Sequence, residues 1–457
     1  MKSVSTSLPG GALFLLAVAG VFWGLPDLSM SGKIALLIFL SAIWAWTFTK
    51  TDATLVAVLA ALAMSVAGLT KGKMPLAGLG DPFIAFVIAG FMLGGAYKIT
   101  GLSERIAEWF AARSHSVERL FYLLTAALVL LSFVIPSTSA RAAMLMPVYV
   151  AVAGAIDNAN VRKGLAVLFP TVIVLSCVTS YLGAAANLMT ADFIEQFSGE
   201  RISYVQWMLL GGPFGIVSCF ASTWVILQAF LKKEERNMAF QLQADNQSEN
   251  IKNRFARSKV LLVTALLIVF WTTEHWHGAD AGMVAFGGAL LLCLPQIGVM
   301  PFKQALKEVE WSLVIFMAAT IELSQGLVSS GLVQYLMSRF SSATAALSGT
   351  AVLAAILLAA LFSHLVINSR TARAAVLMPV LIPLGISAGH SGLLVAFFAN
   401  AAMGYCLTLP VCAKPVAMFS TAGGEGYTTR DLLRLSAWLL PLHFLLLLLA
   451  FWLYAGG

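Results

Sequence analysis

Ser137-Thr138-Ser139-Ala140-Arg141-Ala142-Ala143-Met144-Leu145-Met146-Pro147-Val148 and Ser369-Arg370-Thr371-Ala372-Arg373-Ala374-Ala375-Val376-Leu377-Met378-Pro379-Val380 are nearly the same segment, occurring twice. From Ala140 and Ala372 onward only the Met144/Val376 pair differs. The match extends upstream with a shift of two or three residues, where Asp81-Pro82-Phe83 through Gly101-Leu102 parallels Glu310-Trp311-Ser312 through Gly331-Leu332. Self-similarity of this length at one offset marks an internal repeat.

Each copy sits inside an apolar pair of segments. Residues 117–136 and 142–156 flank the first, and 343–367 and 374–388 flank the second. The second arm of each pair is short for a full span, so both read as re-entrant hairpins, 117–156 and 343–388. Non-helical tips at membrane depth are tolerated only where they line a polar cavity. Around the hairpins lie spanning candidates near 11–29, 33–49, 53–70, 82–99, 165–197, 205–231, 259–273, 281–296, 311–327, 391–422 and 433–455, eleven crossings in all. With one lone helix ahead of the repeats, the two halves begin on opposite sides of the membrane, so the repeat is inverted.

The expected architecture is therefore an all-α polytopic membrane protein. It has an N-terminal helix (1–32), a first inverted repeat of five crossings plus a hairpin (33–231), a polar cytoplasmic linker (232–258) and a second repeat (259–457). Residues 11–25 behind Lys2 read as a retained helix rather than a cleaved signal, because no small-residue cleavage site follows. A cytoplasmic N-terminus places Arg105, Arg113, Arg119, Arg162, Lys163, Lys303 and Lys307 in inner loops, in keeping with the positive-inside rule. The linker reads as a solvated tether.

Composition agrees: 60% of residues are apolar, 11% are charged and the mean hydropathy is +0.88, against about a quarter charged in soluble domains. The net charge of +7 lies beside apolar runs as topology signals do, which argues against nucleic-acid binding. Cys177, Cys219, Cys293, Cys406 and Cys412 show no paired spacing, so neither disulfides nor a metal site is expected. No His-Glu-x-x-His, paired aspartates or nucleophile with a base falls within the spans, so an enzyme is not expected. A channel is disfavoured by an occluding two-hairpin site.

The chemistry gathers at the tips. Broken helices meeting near the midplane expose amides and positive helix ends, which favour an anion. Ser137, Thr138, Ser139, Ser369 and Thr371 offer hydroxyls. One such hydroxyl commonly just caps a helix, but matched sets in both copies point to a binding site. Arg141, Arg370 and Arg373 are costly within a span and need partners or a water-filled cavity. A guanidinium grips a carboxylate bidentately. The structural alternative for Arg141 and Arg373 is to tie hairpin carbonyls or acidic groups together. The fifth and tenth crossings also look interrupted, at Ser180–Asn187 and Thr408–Pro415. Lys414 there is a substrate ligand, a fixed cation in place of a metal ion, or a residue snorkelling to an interface.

These residues carry a resemblance over essentially the whole chain. The paired Ser-x-Thr/Ser tips, each followed by a broken helix, resemble the divalent anion/sodium symporter family of dicarboxylate, citrate and sulfate carriers. The resemblance implies an elevator transporter with a homodimeric scaffold in a bacterial inner membrane. It maps the binding tips onto Ser137-Thr138-Ser139 and Ser369-Arg370-Thr371, and the substrate loops onto Gly183 to Asn187 and Cys412 to Val416, hence Asn187, Ala413, Lys414 and Pro415. The family's middle asparagine is missing from both tips, and cations are added. That pattern is similar to the sodium-independent dicarboxylate exchangers and implies anion exchange with no bound sodium; the alternative is a sodium- or proton-coupled symporter, for a carboxylate, sulfate or another oxyanion.

Weaker signals remain. Glu322 pairs with an arginine, carries protons or rests in a hydrogen bond. His364 senses pH or bonds a neighbouring helix. Glu274-His275-Trp276-His277 has a metal-like spacing but reads better as an interfacial anchor.

Overall fold

The computed structural model describes residues 24–49, 51–70, 76–133, 135, 137–240, 251–344, 346–367, 369–420 and 426–456. Most of the expected first helix, 11–29, lies outside them. Apart from an isolated bridge between Ser116 and Ala239, the regular structure of the described residues is helical. Eight described helices are long and apolar enough to cross a membrane. The chain is thus all-helical and polytopic.

Contacts divide it into two compact units, each drawn from both halves of the sequence. One unit comprises Met1–Ile84, Met189–Arg201 and Trp311–Ala399. Here helix Ala53–Val66 packs along helix Trp311–Ser329. Asp52 starts the former by accepting the amides of Thr54 and Leu55 at 2.9 and 3.1 Å, satisfying donors that a helix start leaves open. Ala60 and Met64 of the former and Leu323 and Leu327 of the latter share one core with Phe39 of helix Met30–Phe48. This unit holds the second hairpin, with arms Gly349–Phe362 and Arg370–Ser387.

The other unit comprises Ala85–Leu188, Ile202–Glu310 and Asn400–Gly457. Its centre is helix Ala159–Leu175, in which every residue from Gly164 to Leu175 is buried. A helix apolar on all sides has to be enclosed by protein or lipid. Here Tyr204–Phe230, both arms of the first hairpin (Val117–Leu131 and Thr138–Gly154) and the short helix Lys414–Ser420 enclose it. Phe419 closes the packing with ring contacts to Tyr149 and Phe169 at 5.3 and 5.4 Å.

Both expected interruptions are present. The fifth crossing stops at Leu175, passes through two short 3-10 turns and resumes at Ala185. The tenth stops at Met403 and resumes at Lys414. Three elements differ from the sequence reading. Helices Leu102–Ala111 and Leu332–Thr344 follow the fourth and ninth crossings as separate amphipathic pieces. The first part of the linker is a strap rather than a free tether: the Val117 amide donates to the Met238 carbonyl, the Phe240 amide donates to the His115 carbonyl, and Glu235 accepts from Asn158 and Asn160. The linker's far end is already helical at Ile251.

Candidate functional site

The first hairpin's first arm ends at Leu131, and Ser137 starts its second arm. Extended backbone at Ser137 lets its hydroxyl accept from the Ala140 amide at 3.2 Å. The same hydroxyl donates to Glu310 Oε1 at 3.2 Å. Thr138 and Ser139 follow in the first turn, both half-buried. Four residues past Ser137, on the same helical face, Arg141 is fully buried.

Arg141 spends its guanidinium inside the protein. Nη1 donates to Ser176 Oγ at 3.1 Å, and Nη2 donates to the carbonyls of Ile173 and Gly183 at 3.3 and 3.0 Å. These acceptors belong to the broken fifth crossing, whose unwinding frees carbonyls from the helical ladder. Burying a cation requires such partners. The loop around it is tightly built. A Cβ on Gly183 would lie 2.1 Å from the Cys177 carbonyl oxygen, so only glycine allows that approach. Trp207 Nε1 donates to the Val178 carbonyl at 3.1 Å, and Thr179 joins Ser132 of the tip at 2.5 Å.

Asn187, also fully buried, closes the other side of the loop. Its Nδ2 donates to the carbonyls of Cys177 and Ser180 at 2.6 and 2.8 Å. Its Oδ1 accepts from Asn400 Nδ2 at 2.9 Å, bonding the fifth crossing to the tenth. The tenth resumes with Lys414 exposed, Ala413 half-buried and Pro415 buried. Helix Lys414–Ser420 packs on Thr138–Gly154, the arm that begins at the tip. A lysine at a helix N-terminus adds its charge to the positive end of the peptide dipoles.

In the other unit, Ser369 repeats the role of Ser137. Its hydroxyl accepts from the Ala372 amide at 3.3 Å and shares a hydrogen bond with Thr371 Oγ1 at 3.0 Å. Arg370 is half-buried at the tip, and Arg373 is as fully buried as Arg141. His364 is buried, with Nδ1 against the Leu361 carbonyl at 2.6 Å. Glu322 is 2% exposed.

The twelve residues singled out by sequence thus divide: Ser137, Thr138, Ser139, Arg141, Asn187, Ala413, Lys414 and Pro415 share one unit, while Ser369, Arg370, Thr371 and Arg373 belong to the other. Sequence reasoning passed over Ser176, Thr179, Glu310 and Asn400. Of these, Asn400 had a readable signal, a lone amide within the apolar run Leu393–Met403. Glu274–His277 forms a short helix with Trp276 84% exposed, and both His277 ring nitrogens engage backbone groups. Among the described residues, no three His, Cys, Asp or Glu side chains gather as metal ligands.

A family model described as "Sodium:sulfate symporter transmembrane region" matches residues 10–455. A "Membrane protein" of Cupriavidus necator is 29% identical over 321 residues, 68% of this chain and 62% of that protein. The citrate/succinate antiporter of Escherichia coli K12 is 23% identical over 68% of this chain and 66% of its own length. These two alignments each span less than two thirds of the relative. The sodium-dependent dicarboxylate transporter SdcS of Staphylococcus saprophyticus is 23% identical over 91% of this chain and 84% of its own. Among solved structures, the YdaH transporter of Alcanivorax borkumensis superposes with a TM-score of 0.55 at 14% identity, covering 94% of this chain and 99% of that one. That likeness establishes the fold alone. The matched family, the E. coli antiporter and the staphylococcal SdcS are transporters, not enzymes.

Proposed function

We propose that this chain, which belongs to the sodium:sulfate symporter family, is a secondary active transporter of small di- or tricarboxylates that exchanges one anion for another without sodium. The observation that carries this reading is the surroundings of Arg141. Two carbonyls and a hydroxyl from the broken crossing converge on its guanidinium at 3.0–3.3 Å. Carbonyl and hydroxyl oxygens are the ligands a hard metal cation takes. A sodium ion at this place would compete for oxygens that a covalently held cation already uses. Lys414, exposed at a positive helix end, is then the group that meets substrate charge, together with the hydroxyls of Ser137, Thr138 and Ser139. In the other unit Ser369, Arg370 and Thr371 are the corresponding anion-recognising groups, and Asn187, Ala413 and Pro415 shape the loops.

The same reading includes inverted repeats, an elevator-type motion, a homodimer and a bacterial inner membrane with the N-terminus inside. The name of the E. coli relative supports exchange. The name of the longer-matching staphylococcal relative supports the second reading, sodium-coupled symport. Uptake of labelled succinate into proteoliposomes separates the two. Exchange requires unlabelled dicarboxylate inside and no sodium. Uptake that needs external sodium and ignores internal anion overturns the exchange reading.

A further inference from the structure

Behind the tip, the unit that carries the first hairpin contains a cavity of about 180 Å³ between helices Pro82–Thr100 and Ile251–Thr272 and the end of the hairpin's first arm. Its walls are apolar, with Leu93 and Tyr97 on one side and Leu130 and Phe133 on the hairpin. Its polar groups are already engaged: Tyr97 Oη and Thr264 Oγ1 bond each other at 2.8 Å, and Trp271 Nε1 donates to the Ala281 carbonyl at 3.1 Å. Nothing in the lining asks for a hydrophilic ligand.

The wall formed by helix Ile251–Thr272 identifies the occupant. Leu261, Thr264, Ile268 and Trp271 line the cavity from helix Ile251–Thr272, and their spacing of three and four residues places them on one face. Continued toward the helix start, that face carries Arg257 and Arg254. Arg254 is exposed. Arg257 is half-buried, donates Nε to the Thr100 carbonyl at 2.8 Å and lies near Glu104, so part of its charge is already offset. Leu261 and Ile268 are 48% and 44% exposed, and Leu130 is 47% exposed on the hairpin. The cavity therefore opens on the surface that a polytopic chain turns to lipid. From Leu261 to Trp271 the helix rises about 15 Å, half of a hydrocarbon core of about 30 Å. One stripe thus presents a cationic head and an apolar slot as long as one leaflet is deep.

We propose that this cavity is a binding site for one anionic phospholipid, with an acyl chain in the slot and its phosphate at Arg254. The chain end lies against Phe133 and Leu182. Phe133 directly follows Ser132, which bonds Thr179, and Leu182 directly precedes Gly183, whose carbonyl holds Arg141. The lipid braces the hairpin tip and the broken crossing from behind.

The test is native mass spectrometry of the detergent-purified full chain, stripped of lipid and given back phosphatidylglycerol or phosphatidylcholine with identical acyl chains. Expected is one phosphatidylglycerol per chain, surviving activation that removes the others. Arg254→Ala, at an exposed position, lowers its retention about fivefold, as loss of one basic contact implies, and leaves phosphatidylcholine unchanged. Leu93→Phe, which fills the slot, lowers retention of both lipids. Brominated acyl chains quench the fluorescence of the wild type more than that of Trp271→Phe. Equal retention of the two lipids by the wild type, unchanged phosphatidylglycerol in Arg254→Ala, or quenching that ignores Trp271 overturns the proposal, as does a slot that holds detergent and releases it to neither lipid.

Discussion

Arg141 and Lys414 are cations in the same unit with opposite surroundings, and the difference predicts opposite phenotypes. Arg141 has no exposed surface and makes three hydrogen bonds to the broken crossing. Arg141→Ala strands those acceptors beside a void and is expected to cost about 3 kcal/mol or more, because a hydrogen bond to a charged group is worth about 1.5–3 kcal/mol. Arg141→Lys recovers part of this, since a single ammonium replaces a planar fork. Thermal unfolding in detergent, followed by loss of the monodisperse peak, reads both. Lys414 is exposed, so Lys414→Ala is expected to leave that midpoint unchanged and to raise the KM for succinate about tenfold, the loss of one charge-assisted contact. A melting shift in Lys414→Ala, or an unchanged KM, contradicts the assignment. Arg141 stood out in the sequence because a charge in an apolar run is costly and demands a reason. What the sequence left open was which reason applied, since the acceptors are backbone carbonyls of a segment 32 to 42 residues away. Asn400 was missed on the same physics. A neutral amide in a span costs less than a charge and attracts less notice, although its bond to Asn187 joins both interrupted crossings.

Among the elements, the strap after helix Tyr204–Phe230 has the most direct consequence. Glu235 Oε2 accepts the Lys232 amide at 2.7 Å, while Oε1 accepts from Asn160 at 2.9 Å and Asn158 at 3.2 Å. The strap therefore grips the start of helix Ala159–Leu175 through side chains and the foot of the hairpin's first arm through the bridge at Ser116. The backbone bond from Lys232 comes first, and the bond from Asn160 second, in holding the Glu235 carboxyl below its ordinary value. A carboxylate with a depressed folded-state pKa contributes stability above its unfolded pKa and loses that contribution as the pH falls through the folded value. Hydrogen exchange at 116–120 and 158–162 is accordingly expected to stay slow at neutral pH and to quicken, after correction for the intrinsic rate, below about pH 4.3, the ordinary glutamate value. Glu235→Gln is expected to show the faster exchange at neutral pH too. Equal protection in the variant and the wild type would leave the strap without this role. Local polarity made this stretch read as a tether, because hydrogen bonds to distant residues leave no periodic trace. The interruptions at Ser180–Asn187 and Thr408–Pro415 were legible for the contrary reason: glycine, proline and polar residues in the middle of a span break the helical pattern locally. Helices Leu102–Ala111 and Leu332–Thr344 fell between the two cases, too polar to span and too short to stand out from loops.

For the whole molecule, the repeat was legible and the grouping of segments was not. Near-identity of Ala140–Val148 and Ala372–Val380 is a property of the string, whereas each compact unit collects pieces of both halves through packing between helices of similar composition. Coupling is likewise a property of the whole cycle, and fixed cations give it a definite electrical signature. A cation attached to the chain leaves and returns with it, so over one exchange cycle the net charge moved equals the difference between the two anions. A sodium symporter instead adds the charge of every bound ion to that of its substrate. Exchange of external for internal succinate is therefore expected to be indifferent to a potassium diffusion potential set with valinomycin. Exchange of succinate against fully ionised citrate moves one net charge per cycle. At 100 mV that charge is worth about 2.3 kcal/mol, so the citrate-to-succinate distribution at equilibrium is expected to shift about fiftyfold between zero and 100 mV. Both arms are read from the same proteoliposomes by labelled anion content at plateau. A homoexchange plateau that moves with voltage means that an ion beyond the two anions crosses with them, and the tethered cations do not then replace sodium.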